Sequence, residues 1–353
     1  MASWRSYHIA LSDSDTSYLL LVSPLAPSHP QPGLAAPPRP IALPALSILL
    51  TKILDTTTVP VPRPIAHDTE GNWPFAWLLL RVPGPSQTHP PVSLASVRTK
   101  LSDGQLARIE RQLGVYLHAL HSVTNDSFGV PVDKPPEPPT VPSFVELFAA
   151  SQAGENGEGY GEDMIPYSWQ DTFVVQLEQH LEYVCGDVGA RQSANIDVDE
   201  LRRSLTRAIG SFLFDDVETP SLIWVTGNEE DVIMSFAPTD GEQDSGSTTF
   251  EESTETNIAY ILPTFGHALW GDPLMEALFL PPGPTKAMSE GYFGDEEDDT
   301  LFLFPRHKTK RVWYTVYLAL IVLAEEMSQG ETIQWARGIL PECIEILKDA
   351  PCY

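Results

Sequence analysis

Three adjacent carboxylates are the side chains of this chain that could most readily do chemistry. Glu229, Glu230 and Asp231 occur together in a polar stretch between two apolar segments. Carboxylate oxygens are hard ligands for divalent cations, and a carboxylate can also accept a proton near neutral pH. The triplet is therefore a candidate site for a cation or a cationic ligand. A solvated turn between two strands is the simpler interpretation of the same residues, and it is the one favoured here.

Two threonines accompany the triplet. Thr226 lies just before it, and Thr264 precedes Phe265 and Gly266 further along the chain. A threonine hydroxyl cannot act as a base near neutral pH without another base beside it, whereas a carboxylate can. Of Thr226, Asp231 and Thr264, only Asp231 therefore carries an ionisable group that could act as a base.

Composition limits the kinds of partner. The 353 residues are 42% apolar and can bury a sizeable core, while the formal net charge is −27. Binding to a nucleic-acid backbone needs clustered Lys and Arg, so this charge argues against that class of protein. The same charge disfavours an anionic membrane surface.

Cysteine usage and hydropathy predict a cytoplasmic protein. Cys185, Cys343 and Cys352 show no Cys-x-x-Cys spacing, so neither a zinc site nor a disulfide framework is indicated. The longest apolar run, Val312–Ala324, is too short to span a bilayer. The first residues, Met1–Arg5, lack the apolar core of a signal peptide.

The elements that position the candidate residues begin with a β-rich region. Strands are expected at Tyr7–Leu11, Tyr18–Val22 and Trp77–Val82, where apolar residues concentrate. Apolar residues at helical spacing predict a helix at Ala45–Leu54. The prolines of Val59–Pro64 exclude a helix there and predict extended chain.

Beyond about residue 100 the pattern becomes helical. Ser102 and Gln105 form the signature of a capping box at the start of a helix. Further helices are expected at Ser143–Ala150, Ser168–Val184, Val198–Phe214, Thr309–Ser328 and Thr332–Lys348. Short strands are expected at Leu222–Val225, Val232–Phe236 and Ile258–Leu262. Two polar stretches, near 153–163 and 239–256, are predicted to be acidic, solvated insertions.

Four segments, taken in order, resemble the aminoglycoside phosphotransferase family and its choline-kinase-like members. They are Val59–Gly84, Leu113–Gly129, Pro220–Phe236 and Ile258–Glu276. The resemblance implies an α+β, bilobal protein-kinase-like fold with a small, shortened β-rich N-lobe and a mainly helical C-lobe. It places the lobes at residues 1–84 and 85–353. The chain is similar to fungal-type members with degenerate catalytic motifs.

The positions that carry phosphoryl transfer in that family hold other residues here. The resemblance places Thr226 at the catalytic Asp, Asp231 at a metal-binding Asn and Thr264 at the magnesium-binding Asp, and so makes these three the candidate catalytic positions. Leu21 stands at the position of the nucleotide-binding Lys and is predicted to be a core residue. Lys52 lies on a helix, where it is a poor substitute. Phosphoryl transfer depends on positioning and charge neutralisation, so these replacements predict no ATP or magnesium cofactor.

The charge distribution supports the same expectation. No Lys or Arg occurs between Arg207 and Lys286, the span that would face the phosphates of a nucleotide. An acidic cleft of this kind repels a triphosphate and attracts a cationic ligand or a basic segment of a partner.

The sequence leaves three functions open. The first is a pseudokinase, deficient in phosphoryl transfer, that binds a small molecule, a cationic ligand or a protein partner in its acidic cleft. The second is an enzyme of secondary metabolism repurposed for a non-phosphoryl reaction that uses the cleft carboxylates. The third is an active small-molecule kinase with relocated catalytic residues. No nucleic-acid or membrane partner is expected.

Overall fold

A computed structural model describes the chain over residues 4–10, 17–24, 40–68, 73–82, 92–133, 168–185, 196–237, 255–294, 304–325 and 330–351. Within these stretches it forms eight α-helices and nine β-strands. A small antiparallel sheet comes first and a largely helical part follows, as the sequence predicts.

The N-terminal region is a four-stranded antiparallel sheet. Its strands are β1 (Arg5–Ala10), β2 (Ser17–Pro24), β3 (Arg63–His67) and β4 (Phe75–Val82), in the order β1-β2-β4-β3. Side chains alternate between the two faces of a strand, and the inner-face residues of β2 and β4 are buried. These are Leu19, Leu21, Leu78, Leu80 and Val82. Helix α1 (Leu43–Thr56) packs against β3 and β4 and adds its own leucines to this core.

The C-terminal part contains the other helices and strands. The helices are α2 (Leu94–Val97), α3 (Asp103–His121), α4 (Trp169–Cys185), α5 (Val198–Gly210), α6 (Lys286–Phe293), α7 (Pro305–Ala324) and α8 (Glu331–Lys348). The strands are β5 (Val92–Ser93), β6 (Ser221–Ile223), β7 (Val232–Ala237), β8 (Glu255–Ile261) and β9 (Leu269–Gly271). One sheet has the order β5-β7-β8, and β6 pairs with β9.

Two apolar clusters hold these elements. The first runs from the N-terminal sheet and α1 through α3 to β7 and β8, so the two regions share a core. Two backbone hydrogen bonds, each 2.8 Å long, join them as well: Ile261 N donates to Pro60 O, and Ile41 N donates to Gly266 O. The second cluster lies among α4, α5, α7 and α8.

Helices α3 and α6 meet at a contact that only glycine permits. A Cβ at Gly114 would lie 2.1 Å from a backbone oxygen of α6, and one at Gly291 would lie 1.9 Å from a backbone oxygen of α3. Atoms cannot approach so closely, so both positions require hydrogen as the side chain. This contact fixes the position of α3, whose last residue lies beneath the candidate site.

Several predicted elements are confirmed and several end elsewhere. The capping box of α3 is present, with both of its hydrogen bonds between Ser102 and Gln105. Helix α5 ends at Gly210 and not at Phe214, because Phe212 has a φ of +55° that a right-handed helix cannot contain. Helix α7 begins at Pro305, earlier than expected, and proline is well suited to a first helical turn.

Other predictions fall wholly or partly outside the described residues. Gly84 at the predicted lobe boundary, Ser143–Ala150 and residues 153–163 are among them, so the lobe limits stay predictions. The last two residues of the predicted insertion at 239–256 belong to β8, where Thr256 is buried and not solvated. None of the described helices combines the length and the hydropathy needed to cross a lipid bilayer.

Candidate functional site

The loop between β6 and β7 lies beside the turn that follows β8, because β7 pairs with β8. Val232 on β7 is directly opposite Ile261 on β8. The residues next to this pair, Asp231 and Leu262, are consequently neighbours, and Leu262 N donates to Asp231 O at 2.8 Å. The turn then brings Thr264 to the carboxylate of Asp231.

A directed chain of hydrogen bonds runs through this site. Trp224 Nε1 donates to Thr264 Oγ1 at 3.1 Å. An indole nitrogen can only donate, so the hydroxyl oxygen accepts and its own hydrogen remains to be donated. The Thr264 hydroxyl is hydrogen-bonded to the carboxylate of Asp231, which also accepts from Asn228 N at 3.3 Å. Thr226 Oγ1 donates to the backbone oxygen of Thr264 at 3.4 Å, so the three candidate catalytic positions do lie together.

Asp231 is a buried carboxylate whose pKa lies near neutral pH. Its side chain is only slightly exposed, and burial raises its pKa from 3.8 to about 6. The hydrogen bonds from Thr264 and Asn228 act in the opposite direction, and the negative charge of Glu230 adds a little to the rise. Near neutral pH Asp231 can therefore gain or lose a proton with little change in conditions.

Trp224 fills the space between the loop and the turn. Its indole is fully buried and stacks on Phe265 with ring centroids 5.5 Å apart. A Cβ at Gly227 would lie 2.3 Å from this indole, so glycine is needed where the loop passes over the ring. On the other side of the turn, Trp4 and Pro40 pack on Gly266.

The backbone of the loop is strained at Val225, which has a φ of +67°. A β-branched residue in this region costs on the order of 1–3 kcal/mol and persists only when its surroundings hold it there. Trp224 N donates to Glu276 Oε2 at 3.0 Å, and Glu276 is fully buried. His121, at the end of α3, places Nε2 3.6 Å from the same oxygen and Nδ1 2.7 Å from Tyr292 Oη. Buried polar groups therefore fix the start of the loop.

Glu229 and Glu230 each have a partner that Asp231 does not contact. Arg98 forms an ion pair with Glu229 and another, 3.0 Å long, with Glu110. Burial raises the pKa of Glu229, and the charge of Arg98 opposes that rise. Glu230 accepts from Ser93 Oγ at 2.9 Å. Across the part of the chain that the structure describes, no three His, Cys, Asp or Glu side chains are placed to hold a metal ion. A cation site shared by the three carboxylates therefore has no support from this geometry.

The sequence argument from charge missed Arg98. It considered only Lys and Arg between Arg207 and Lys286, whereas Arg98 reaches the loop from the segment after α2. Nothing in the local sequence of Arg98 indicates this contact, because it depends on the packing of β5 and α2 against β7. The sequence argument from charge, which counted only that span, is therefore incomplete.

Leu21, which the resemblance places at the nucleotide-binding lysine, is a core residue as predicted. Leu21 is buried in the sheet, opposite Leu78. Lys52 is engaged elsewhere: Nζ donates to Thr124 O at 2.7 Å and lies 4.7 Å from the centroid of the Trp270 ring. Leu21 has no group that could pair with a phosphate, and the ammonium group of Lys52 is directed to a backbone oxygen and an indole ring.

No protein-family model matches the sequence, and no curated protein matches it significantly. Solved structures are similar to it. A thermostable variant of the aminoglycoside phosphotransferase APH(4)-Ia, in complex with AMP-PNP and hygromycin B, is 12% identical, with 98% of this chain and 94% of that chain covered and a TM-score of 0.50. This chain has a bilobal kinase-like fold.

Two further similar structures have lower scores. An ethanolamine kinase from Plasmodium vivax is 11% identical, with 99% of this chain and 83% of that chain covered and a TM-score of 0.48. A choline/ethanolamine kinase family protein from Mesorhizobium loti is 12% identical, with 98% and 89% covered and a TM-score of 0.42. At these identities the likeness concerns the fold, and activity has to be argued from this chain's own site.

The hydrogen-bond chain predicts unequal effects for two identical substitutions. Thr264→Val removes the hydroxyl that serves both Trp224 and Asp231 and leaves two buried groups without that partner. We expect it to lower the free energy of unfolding by about 1–3 kcal/mol. Thr226→Val removes one long hydrogen bond at the surface and is expected to cost less than about 0.5 kcal/mol. Urea denaturation of both variants measures this, and equal losses would contradict the arrangement.

Proposed function

We propose that this chain is a pseudokinase: a kinase-fold protein that does not transfer phosphate and that binds a ligand at the Asp231 site. The Trp224–Thr264–Asp231 hydrogen-bond chain is the observation that carries this proposal. A phosphotransferase of this fold needs a base and two metal ligands at these positions, where this chain has two hydroxyls and one carboxylate with a raised pKa. The buried Leu21 supports the same proposal.

The ligand that suits this site is a small cation or a basic side chain of a protein partner. A positive group near Asp231 would favour the ionised carboxylate and recover part of the free energy that burial costs it. Glu230 is exposed beside it and adds negative charge, whereas Glu229 is already paired with Arg98. The proposal includes a cytoplasmic location, supported by the free thiols of Cys185 and Cys343.

Two measurements test the absence of phosphoryl transfer. In calorimetric titrations with ATP and magnesium we expect no binding in the micromolar range. Incubation with γ-labelled ATP and a panel of amino sugars and amino alcohols should move no label above the rate seen without protein. Transfer that disappears in Asp231→Ala would refute the proposal and favour the relocated-kinase alternative.

A second candidate function is acid–base catalysis by Asp231 in a non-phosphoryl reaction. The observation that favours it is the pKa of about 6, since a catalytic acid or base works best when its pKa is near the working pH. Its test is the pH dependence of any turnover that a substrate screen reveals. A rate that follows one ionisation near pH 6 and is lost in Asp231→Asn would establish this function in place of pure binding.

A further inference from the structure

The outer face of the N-terminal sheet is apolar, although it is turned away from the core. The register places Arg5, Tyr7 and Ile9 of β1 on the side opposite to the buried leucines, in line with alternate residues of β2 and β4. The other outward residues are Tyr18, Leu20, Val22, Phe75, Trp77, Leu79 and Arg81. Every one of these side chains is at least partly exposed, with Tyr7 at 49% and Ile9 at 37%. We call this surface the outer sheet face.

Strands with one solvated face normally alternate apolar and polar residues, whereas strands covered on both faces are apolar throughout. The central strands, Tyr-Leu-Leu-Leu-Val in β2 and Phe-Ala-Trp-Leu-Leu-Leu in β4, have the second pattern. The outer sheet face also has the composition of a protein interface, which is rich in Tyr, Trp, Phe and Arg and poor in Lys, Glu and Asp. A surface of this kind is expected to be covered by a partner.

The charge of the outer sheet face is unusual for this chain. The four strands contain no Asp or Glu, although the whole chain has 48. Residues 1–84 contain five Lys and Arg and five Asp and Glu, so the net charge of −27 belongs entirely to residues 85–353. Two copies of this chain can therefore meet through this region without bringing their acidic parts together.

The outer sheet face is also complementary to itself. Trp77 and Arg81 lie at equal distances on either side of Leu79 along β4. Consider a two-fold axis that lies in the plane of the interface, directly above Leu79 and perpendicular to the strands. It places each strand over the same strand of the second copy, running in the opposite direction. It places Arg81 of one copy over Trp77 of the other, twice, and keeps the arginines of the two copies apart. Arginine stacks well on an indole ring, so these guanidinium groups need no carboxylate partner.

We propose that the outer sheet face binds the same face of a second copy of this chain and forms a two-fold symmetric dimer. The strands are five to eight residues long, which gives a face of roughly 450 Å² in projection. That area is below the roughly 800 Å² per partner of a standard interface, so the dimer is reversible and has a dissociation constant in the micromolar range.

Sedimentation velocity and light scattering of the whole chain, from 1 to 200 μM, test this proposal. The expected result is a shift from 38.9 kDa to twice that mass over this range. Raising NaCl from 50 to 500 mM should tighten the dimer, because salt screens the repulsion between the two acidic parts. A monomer at every concentration would overturn the proposal. The outer sheet face would then be either exposed to solvent or covered by a different molecule in the cell.

Paired variants locate the interface. Leu79→Glu places two carboxylates beside the symmetry axis and should raise the dissociation constant by at least ~100-fold. Ile346→Glu adds the same charge at an exposed site on α8 and should leave dimerisation unchanged. Arg81→Ala should weaken the dimer about tenfold through loss of the indole contact, and Arg63→Ala, which changes the neighbouring exposed arginine, should have a smaller effect. Equal effects of the two arginine variants, or a dimer unaffected by Leu79→Glu, would refute this geometry.

Discussion

Replacing Lys310 by Met is expected to lower the free energy of unfolding by about 3–5 kcal/mol, the largest effect of any single change considered for this chain. Lys310 on α7 is almost completely buried, and its Nζ lies 2.7 Å from Asp216 Oδ1 and 2.6 Å from Asp272 Oδ2. Methionine has a similar shape without the charge. The substitution therefore leaves Asp272 buried without a cation.

The remaining partners of Asp272 cannot replace the lysine. Tyr314 Oη donates to Asp272 Oδ2 at 2.6 Å, and Leu274 N donates to Oδ1 at 3.0 Å. Both donors are neutral, and they are already in use. Trp169 Nε1 donates to Tyr314 Oη at 2.9 Å, so the loss is expected to disturb the packing of α4 on α7 as well.

Urea denaturation at pH 7 measures this effect. Lys308→Met is the matched control: it makes the same change on the same helix at an exposed position and should cost less than about 0.5 kcal/mol. The double variant Lys310→Met with Asp272→Asn should recover part of the loss, because it removes the unpaired charge. If Lys310→Met costs no more than Lys308→Met, the network does not contribute to stability as argued here.

Replacing Asp231 by Asn is expected to stabilise the protein at neutral pH by up to about 3 kcal/mol. The pKa of Asp231 rises from 3.8 in the unfolded chain to about 6 on folding, and each pKa unit corresponds to about 1.4 kcal/mol. The folded state holds its proton up to a higher pH than the unfolded state does. Stability contributed by this group is therefore lost as the pH rises from about 4 to about 6, and Asn removes that loss.

The expected signature is a difference that depends on pH. Asp231→Asn should be more stable than the wild type at pH 7.5, and the difference should shrink to about a third of that value by pH 4.5 and vanish only below about pH 3.8. Burial lowers the pKa of His180 to about 4, so this residue destabilises the fold on acidification. The effect is the same in both proteins and therefore cancels when their stabilities are compared. Glu230→Gln, a neighbouring exposed carboxylate, should show little gain at any pH. A gain for Asp231→Asn that stays constant with pH would show that the raised pKa is not its cause.

These two expectations distinguish a buried carboxylate that stabilises the fold from one that lowers its stability. Asp272 is buried, paired and hydrogen-bonded, so it stabilises the fold. Asp231 is buried with only two weak donors, so it costs stability that a ligand could restore. This cost supports the proposal that Asp231 is a binding or catalytic position.

Much of the fold could be predicted from local patterns in the sequence. The capping box at Ser102 and Gln105, the apolar runs of β2 and β4 and the helical spacing of α1 each depend on residues close together in the chain. Helix and strand ends were less predictable, because residues other than glycine rarely adopt the positive φ found at Phe212 and Val225.

For the site, the sequence by itself determined which groups are present: the hydroxyls of Thr226 and Thr264, the carboxylate of Asp231 and the apolar side chain of Leu21. Only the tertiary structure decided how these groups are used. The pairing of β7 with β8 makes Asp231 and Thr264 partners, and burial moves the pKa of Asp231 towards neutrality. Packing of a distant segment brings Arg98 to Glu229 and so divides a triplet that is contiguous in sequence. The physical reason is that desolvation and ion pairing depend on distances in space, which spacing along the chain does not fix.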